Sequence, residues 1–107
     1  MKSDVVLCQV DRSGIGTITI NRPDVRNAYN AELLEALTDA VNACGRDETV
    51  RVIRLRGNGS HFQAGADIKW LRANASLSPE ENITVSALTT NTMKQLNECG
   101  KPIIALV

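Results

Sequence analysis

The spacing of apolar residues switches between two periods along this chain, and that switching limits the possible folds more than any other feature. In residues 15–20, IGTITI, Ile18 and Ile20 alternate with Thr17 and Thr19, the period of a strand with one buried face. From Asn30 the period becomes helical, with Leu33, Leu34, Leu37, Ala40, Val41 and Cys44 on one side. Residues 50–57, VRVIRLRG, read as a strand again. A chain that alternates in this way makes α/β crossovers and a largely parallel sheet.

The punctuation agrees. Asp11, Ser13 and Gly14 separate residues 5–10, VVLCQV, from residues 15–20, which predicts a β-hairpin with one buried face. Pro23 ends the second strand, because it has no N–H to donate to a ladder. Asn30 suits an N-cap, Glu32 suits the positive end of the helix dipole, and Gly45 suits the helix end. A short helix begins near Asp67 and carries Ile68, Trp70 and Leu71. In residues 78–81, SPEE, Ser78 and Glu81 make a capping box with Pro79 in the first turn, and Gly100 stops that helix after Cys99. Residues 101–107, KPIIALV, read as a strand buried on both faces. The expected order is β-β-α-β-α-α-β. An apolar strand makes an odd end for a domain, and we expect the chain to be the N-terminal part of something longer.

Composition excludes several classes. At 107 residues there is room for one small domain. Twelve basic and twelve acidic residues give no net charge, which argues against a general polyanion binder and so against a nucleic-acid partner. The N-terminal stretch, MKSDVVLCQVDRSG, has too short an apolar run for a signal peptide, and no segment is long enough to span a membrane, so a cytoplasmic protein is expected. Cys8, Cys44 and Cys99 are odd in number and widely spaced, with no CxxC pair, and the only histidine, His61, is far from them in sequence. Reduced, partly buried thiols are expected rather than a disulfide framework or a metal site.

Residues 61–70, HFQAGADIKW, pose the chemical question, because small residues bare the backbone just before a helix. Such backbone can cradle a phosphate at the helix N-terminus. Neither a GK[ST] sequence nor GxGxxG is present, and Asp67 would repel a phosphate placed there. Alternatively, a bare N–H can stabilise charge developing on a carbonyl oxygen. The plain structural reading is a tight turn with Asp67 as helix N-cap.

Residues 61–71, HFQAGADIKWL, resemble the signature of the enoyl-CoA hydratase/isomerase, or crotonase, family. Three more segments resemble it in order: GIGTITINRPDVRNAYNAELLEAL, DETVRVIRLRGNGSHF and ECGKPIIALV. The resemblance implies an α/β fold, the N-terminal portion of a crotonase-like ββα spiral with a hairpin and mainly parallel core strands. It implies an acyl-CoA-binding domain, of which residues 1–107 are the N-terminal part. It further implies that the Ala66 N–H is one of two oxyanion donors, and that backbone from Ala64 through Gly65, Ala66 and Asp67 to Ile68 lies along the CoA. Ala28 would sit beside the pantetheine and Arg26 near the phosphates. The second oxyanion donor and the two catalytic glutamates would lie beyond Val107, so the 107-residue chain alone is expected to be inactive.

The activity implied is enoyl-CoA hydration, with isomerisation, other chemistry of the same scaffold, or a non-catalytic fragment as alternatives. No metal and no cofactor is implied, since CoA belongs to the substrate, and a trimer or dimer of trimers is the expected assembly. Glu32, Glu35, Glu48, Glu80, Glu81 and Glu98 read as dipole partners and solvated charges. His61 reads as a solvent-facing or backbone-capping residue, Lys69 as a solvated lysine with contact to a CoA phosphate as the alternative, Trp70 as packing, and Arg51, Arg54 and Arg56 as a strand cluster offset by Asp47 and Glu48.

Overall fold

In a computed structural model, which describes residues 4–107, the hairpin is β1, Val6–Val10, and β2, Ile15–Ile20. The first three residues of the stretch read against a signal peptide lie outside the described residues. Asp11 organises the turn, its Oδ1 accepting from the N–H groups of Ser13 and Ile15. A 3-10 turn, Pro23–Val25, follows, then α1, Ala31–Arg46, and β3, Val52–Gly57. Next come α2, Ile68–Asn74, α3, Pro79–Glu98, and β4, Ile103–Leu106. The strands form one mixed sheet in the order β1-β2-β3-β4, antiparallel between β1 and β2 and parallel thereafter. No helix among the described residues is long and apolar enough to cross a membrane.

One core is built between α1 and the middle of the sheet. Ile18 and Ile20 from β2 and Ile53 and Leu55 from β3 pack against Leu33, Leu37, Val41 and Cys44 of α1. The predicted caps form: Asn30 accepts from the Leu33 N–H, and Ser78 and Glu81 make the reciprocal box. Three expectations need correction. Helix α1 runs through Gly45, which lacks the positive φ of a helix-ending glycine, to Arg46 and is capped at Asp47, whose N–H donates to the Ala43 carbonyl. Strand β3 starts at Val52, since Asp47 and Thr49 form a local turn and Val50 belongs to the core. Strand β4 is not buried on both faces. Among the described residues it pairs with β3 alone and only its Ile103 packs toward the core, while Ile104 and Leu106 are exposed. Strand β1 is likewise largely exposed beyond Val6.

Candidate active site

Two turns meet to make the site: residues 22–29, after β2, and residues 58–67, after β3. Asn27 holds them together. It is fully buried, its amide nitrogen donates to the carbonyls of Asn58 at 3.0 Å and His61 at 2.6 Å, and its Oδ1 accepts from the Arg22 N–H at 2.8 Å. Arg26 and Asn27 both adopt left-handed backbone, φ 56° and 60°. That conformation is uncommon outside glycine and is held here by the surrounding bonds. Gly57, at the end of β3, lies under the backbone of the turn that follows it and beside the Asn27 amide. A Cβ there would lie 2.4 Å from the Phe62 oxygen and 2.5 Å from the His61 oxygen, so no side chain fits.

Arg22 completes the brace. Its guanidinium donates to the Ala28 carbonyl at 2.5 Å and to Asp67 Oδ2 at 3.0 Å. The other carboxylate oxygen of Asp67 caps α2 by accepting from the Trp70 N–H at 3.2 Å. The Trp70 N–H, and secondly the Arg22 guanidinium, hold the Asp67 carboxyl below the usual carboxylate range. Both oxygens of Asp67 are thus engaged in structure. Gln63 fixes the next peptide, accepting from the Gly65 N–H at 2.9 Å and donating to the Gly65 carbonyl at 3.1 Å. Gly65 itself has φ +93°, a conformation that disfavours any side chain.

The direction of the Ala66 N–H follows from these bonds. The Tyr29 N–H donates to the Gly65 carbonyl at 2.9 Å, and the Asp67 N–H donates to the Tyr29 carbonyl at 2.8 Å. The two segments thereby form a short parallel bridge, Tyr29 beside Ala66. In a trans peptide the C=O of one residue and the N–H of the next point opposite ways, and no peptide among the described residues is cis. Because the Gly65 carbonyl faces Tyr29, the Ala66 N–H faces away from it. No acceptor bonds it among the described residues. On its other side Tyr29 stacks edge-on against Trp70, ring centroids 5.7 Å apart.

Ala66 lines a cavity of about 400 Å³, together with Val25, Arg26, Ala28, Ala64, Asp67, Ile68 and Lys69. Arg26, Ala28, Ala64, Ala66, Asp67 and Ile68, singled out in the sequence, are therefore brought to one cavity, whereas Gly65 is not among the residues that line it and its carbonyl is bonded to Tyr29. Arg26 and Lys69 are exposed cations on its wall, and Ala28 is buried. The strand cluster is elsewhere: Arg54 and Arg56 donate to Thr17 and Thr19 on the sheet. His61 is exposed and contributes its backbone carbonyl to Asn27. No group of three His, Cys, Asp or Glu residues placed to hold a metal ion occurs among the described residues.

Sequence reasoning missed Arg22, Asn27 and Gln63. Their roles rest on partners up to 45 residues away. The one local signal was Asn27 in a turn, since asparagine tolerates left-handed backbone better than most residues.

The enoyl-CoA hydratase/isomerase family model matches residues 11–107, and the chain belongs to that family. It is 28% identical over 100 residues to a trans-2-decenoyl-[acyl-carrier-protein] isomerase of Streptococcus mutans, covering 92% of this chain and 38% of that protein. It is 29% identical over 105 residues to the 1,2-epoxyphenylacetyl-CoA isomerase of Escherichia coli, covering 97% and 40%. The crystal structure of an enoyl-CoA hydratase from Shewanella pealeana superposes with a TM-score of 0.92 at 27% identity, covering 96% of this chain and 38% of that one. The fold is thus the crotonase fold, and the chain spans about two fifths of the length of these relatives.

Proposed function

We propose that the protein to which these residues belong is an enoyl-CoA hydratase, and that the cavity beside Ala66 takes the CoA thioester. The observation that carries this reading is the Ala66 N–H, turned away from Tyr29 by a fixed trans peptide and left without an acceptor at a cavity wall. A thioester carbonyl placed there accepts that N–H. As water adds at C3 of a 2,3-unsaturated acyl group, negative charge develops on the thioester oxygen, and the N–H stabilises it more than it stabilises the ground state. Protonation at C2 completes the addition. Arg26 and Lys69 supply positive charge for the CoA phosphates, and Ala28, Ala64 and Ile68 offer small or apolar walls to the pantetheine. Asp67 is committed to Arg22 and Trp70, so the acid and base come from outside this cavity wall.

A second reading is double-bond isomerisation, favoured by the relative named a trans-2-decenoyl-[acyl-carrier-protein] isomerase. Both reactions pass through the same stabilised enolate and differ in their acid–base groups. The test uses the complete protein, with 2-enoyl-CoA and 3-enoyl-CoA offered separately and the products identified. Hydration of the 2-enoyl substrate is expected, whereas migration of the double bond without water uptake would select the isomerase. In either case Ala66→Pro removes the donor without breaking a bond of the fold. One oxyanion donor is typically worth about 10²–10³ in kcat, and a fall of that size is expected. Unchanged kcat in a folded variant would take Ala66 out of the mechanism.

A further inference from the structure

Away from this cavity, the structure brings together two thiols that lie 36 residues apart in sequence. Cys8 Sγ of β1 and Cys44 Sγ of α1 are 3.4 Å apart. Cys8 is exposed and Cys44 is buried. We infer that this pair is a reversible oxidation site, at which a hydroperoxide converts the two thiols to a disulfide that staples β1 to the end of α1.

Three features support the pair over a chance contact. The sulfurs need to close by about 1.4 Å to reach the ~2.05 Å bond length. Among the described residues, strand β1 is at the sheet edge and pairs with β2 only, so it can yield without losing a second partner. Gly16 faces Cys44 Sγ, and the Cβ of any larger residue would come to 3.3 Å of it, so the glycine leaves the sulfur room. The roles are unequal. Cys8 is open to a peroxide. Burial, then the bond to Cys8 and the charge of Cys8, push the Cys44 thiol up to about 12, so the exposed Cys8 rather than Cys44 is the thiol that meets the peroxide first. Cys99 is separate, its thiol donating to the Lys101 carbonyl at 3.3 Å.

The chemistry balances. The Cys8 sulfur attacks the peroxide, the O–O bond breaks, and an alcohol or water leaves while Cys8 becomes a sulfenic acid. The Cys44 sulfur then attacks the Cys8 sulfur, the S–O bond breaks, and the hydroxyl departs as water with the Cys44 proton. Two thiols lose two electrons and one peroxide gains them.

The test is to treat the full chain with hydrogen peroxide, remove the excess with catalase, alkylate the remaining thiols after unfolding, and map the peptides by mass. The expected product has lost two hydrogens, joins the Cys8 and Cys44 peptides, carries one alkyl group on Cys99, and reverts with dithiothreitol. The oxidised chain should also melt at a higher temperature than the reduced one. Cys44→Ser should leave Cys8 as a sulfenic acid that dimedone captures. Should that variant not fold, Cys8→Ser, at an exposed position, should leave Cys44 fully alkylated after the same treatment. Oxidation of wild-type Cys8 to the sulfinic acid with Cys44 still free would overturn the proposal. A Cys44–Cys99 or interchain link would do so equally.

Discussion

Helices α1 and α3 are both well capped, yet they are held in quite different ways. Helix α1 turns Leu33, Leu34, Leu37, Val41 and Cys44 into the core. Helix α3 is longer, has a complete capping box, and buries only Thr92. Thr92 reaches α1 through hydroxyl bonds to the Leu34 carbonyl and Thr38, while Ile83 and Met93 are exposed. The contrast separates two sources of helical order. Caps and local bonds define where a helix begins, but burial of an apolar face anchors it in the fold. The candidate site is attached to the anchored helix. Asn30, the N-cap of α1, directly follows Tyr29, whose backbone sets the direction of the Ala66 N–H. A site that must hold one N–H in a fixed direction is best built on the rigid half.

The sharpest way to break this contrast is a matched pair of truncations. Leu33→Ala, at a site 1% exposed, should cost about 2–5 kcal/mol in urea unfolding. Ile83→Ala, at 70% exposure, should stay within about 0.5 kcal/mol. Equal losses would mean that α3 is anchored as firmly as α1.

Asn27→Ala tests the brace between the two turns. It orphans the Asn58 and His61 carbonyls and the Arg22 N–H and places alanine at φ 60°. A loss of about 2–4 kcal/mol is expected, below the sum of about 1–3 kcal/mol for each fully buried unpaired group, because these three bonds are only partly buried and water can reach the exposed Asn58 and His61. Substrate affinity should fall with it, measured on the complete protein by calorimetry with CoA. Intact affinity in a destabilised variant would separate the brace from the cavity.

Ser78→Ala removes one half of the α3 capping box, and about 1 kcal/mol should go with it. Because α3 is held by few buried residues, its amides should show the loss in hydrogen exchange while those of α1 do not. A uniform change across both helices would show that the two unfold as one unit.

The smallest effect concerns acid. The Asp67 carboxyl is held below its usual range by the Trp70 N–H and then the Arg22 guanidinium. A group whose folded pKa is depressed contributes in full above its ordinary value of about 3.9 and loses that contribution as pH falls through the folded value. Asp67→Asn should therefore lower stability at neutral pH and flatten the decline of the urea midpoint below about pH 4. Asp47 and Glu81 are depressed too, so the slope is reduced rather than abolished. An identical acid profile in the two proteins would remove Asp67 from the ion pair's energetics.

Much of this was legible in the residues themselves. The hairpin, the caps at Asn30, Asp67 and Ser78, and the element order are local facts, set by period and by side chains that bond within four residues. The cavity residues were legible through the family resemblance rather than through spacing. What was not legible shares one property. Arg22 with Asp67, Asn27 with His61 and Cys8 with Cys44 are separated by many residues. Strand β4 shows the reverse case. Its composition reads as fully buried, but burial depends on what lies on each side of a strand, and among the described residues only β3 flanks it.

By itself, then, the sequence determined the order of the elements and the residues that cap the starts of the helices, because a cap, a proline or a turn acts over a few bonds through geometry the residue carries with it. Only the tertiary structure decided which of two arginines four residues apart turns inward. Arg22 meets a carbonyl and a carboxylate, whereas Arg26, in left-handed backbone, is left on the wall of the cavity. The Ala66 N–H was decided in the same way, since a peptide plane takes its orientation from the partner of its carbonyl, and that partner, Tyr29, arrives from another turn of the fold.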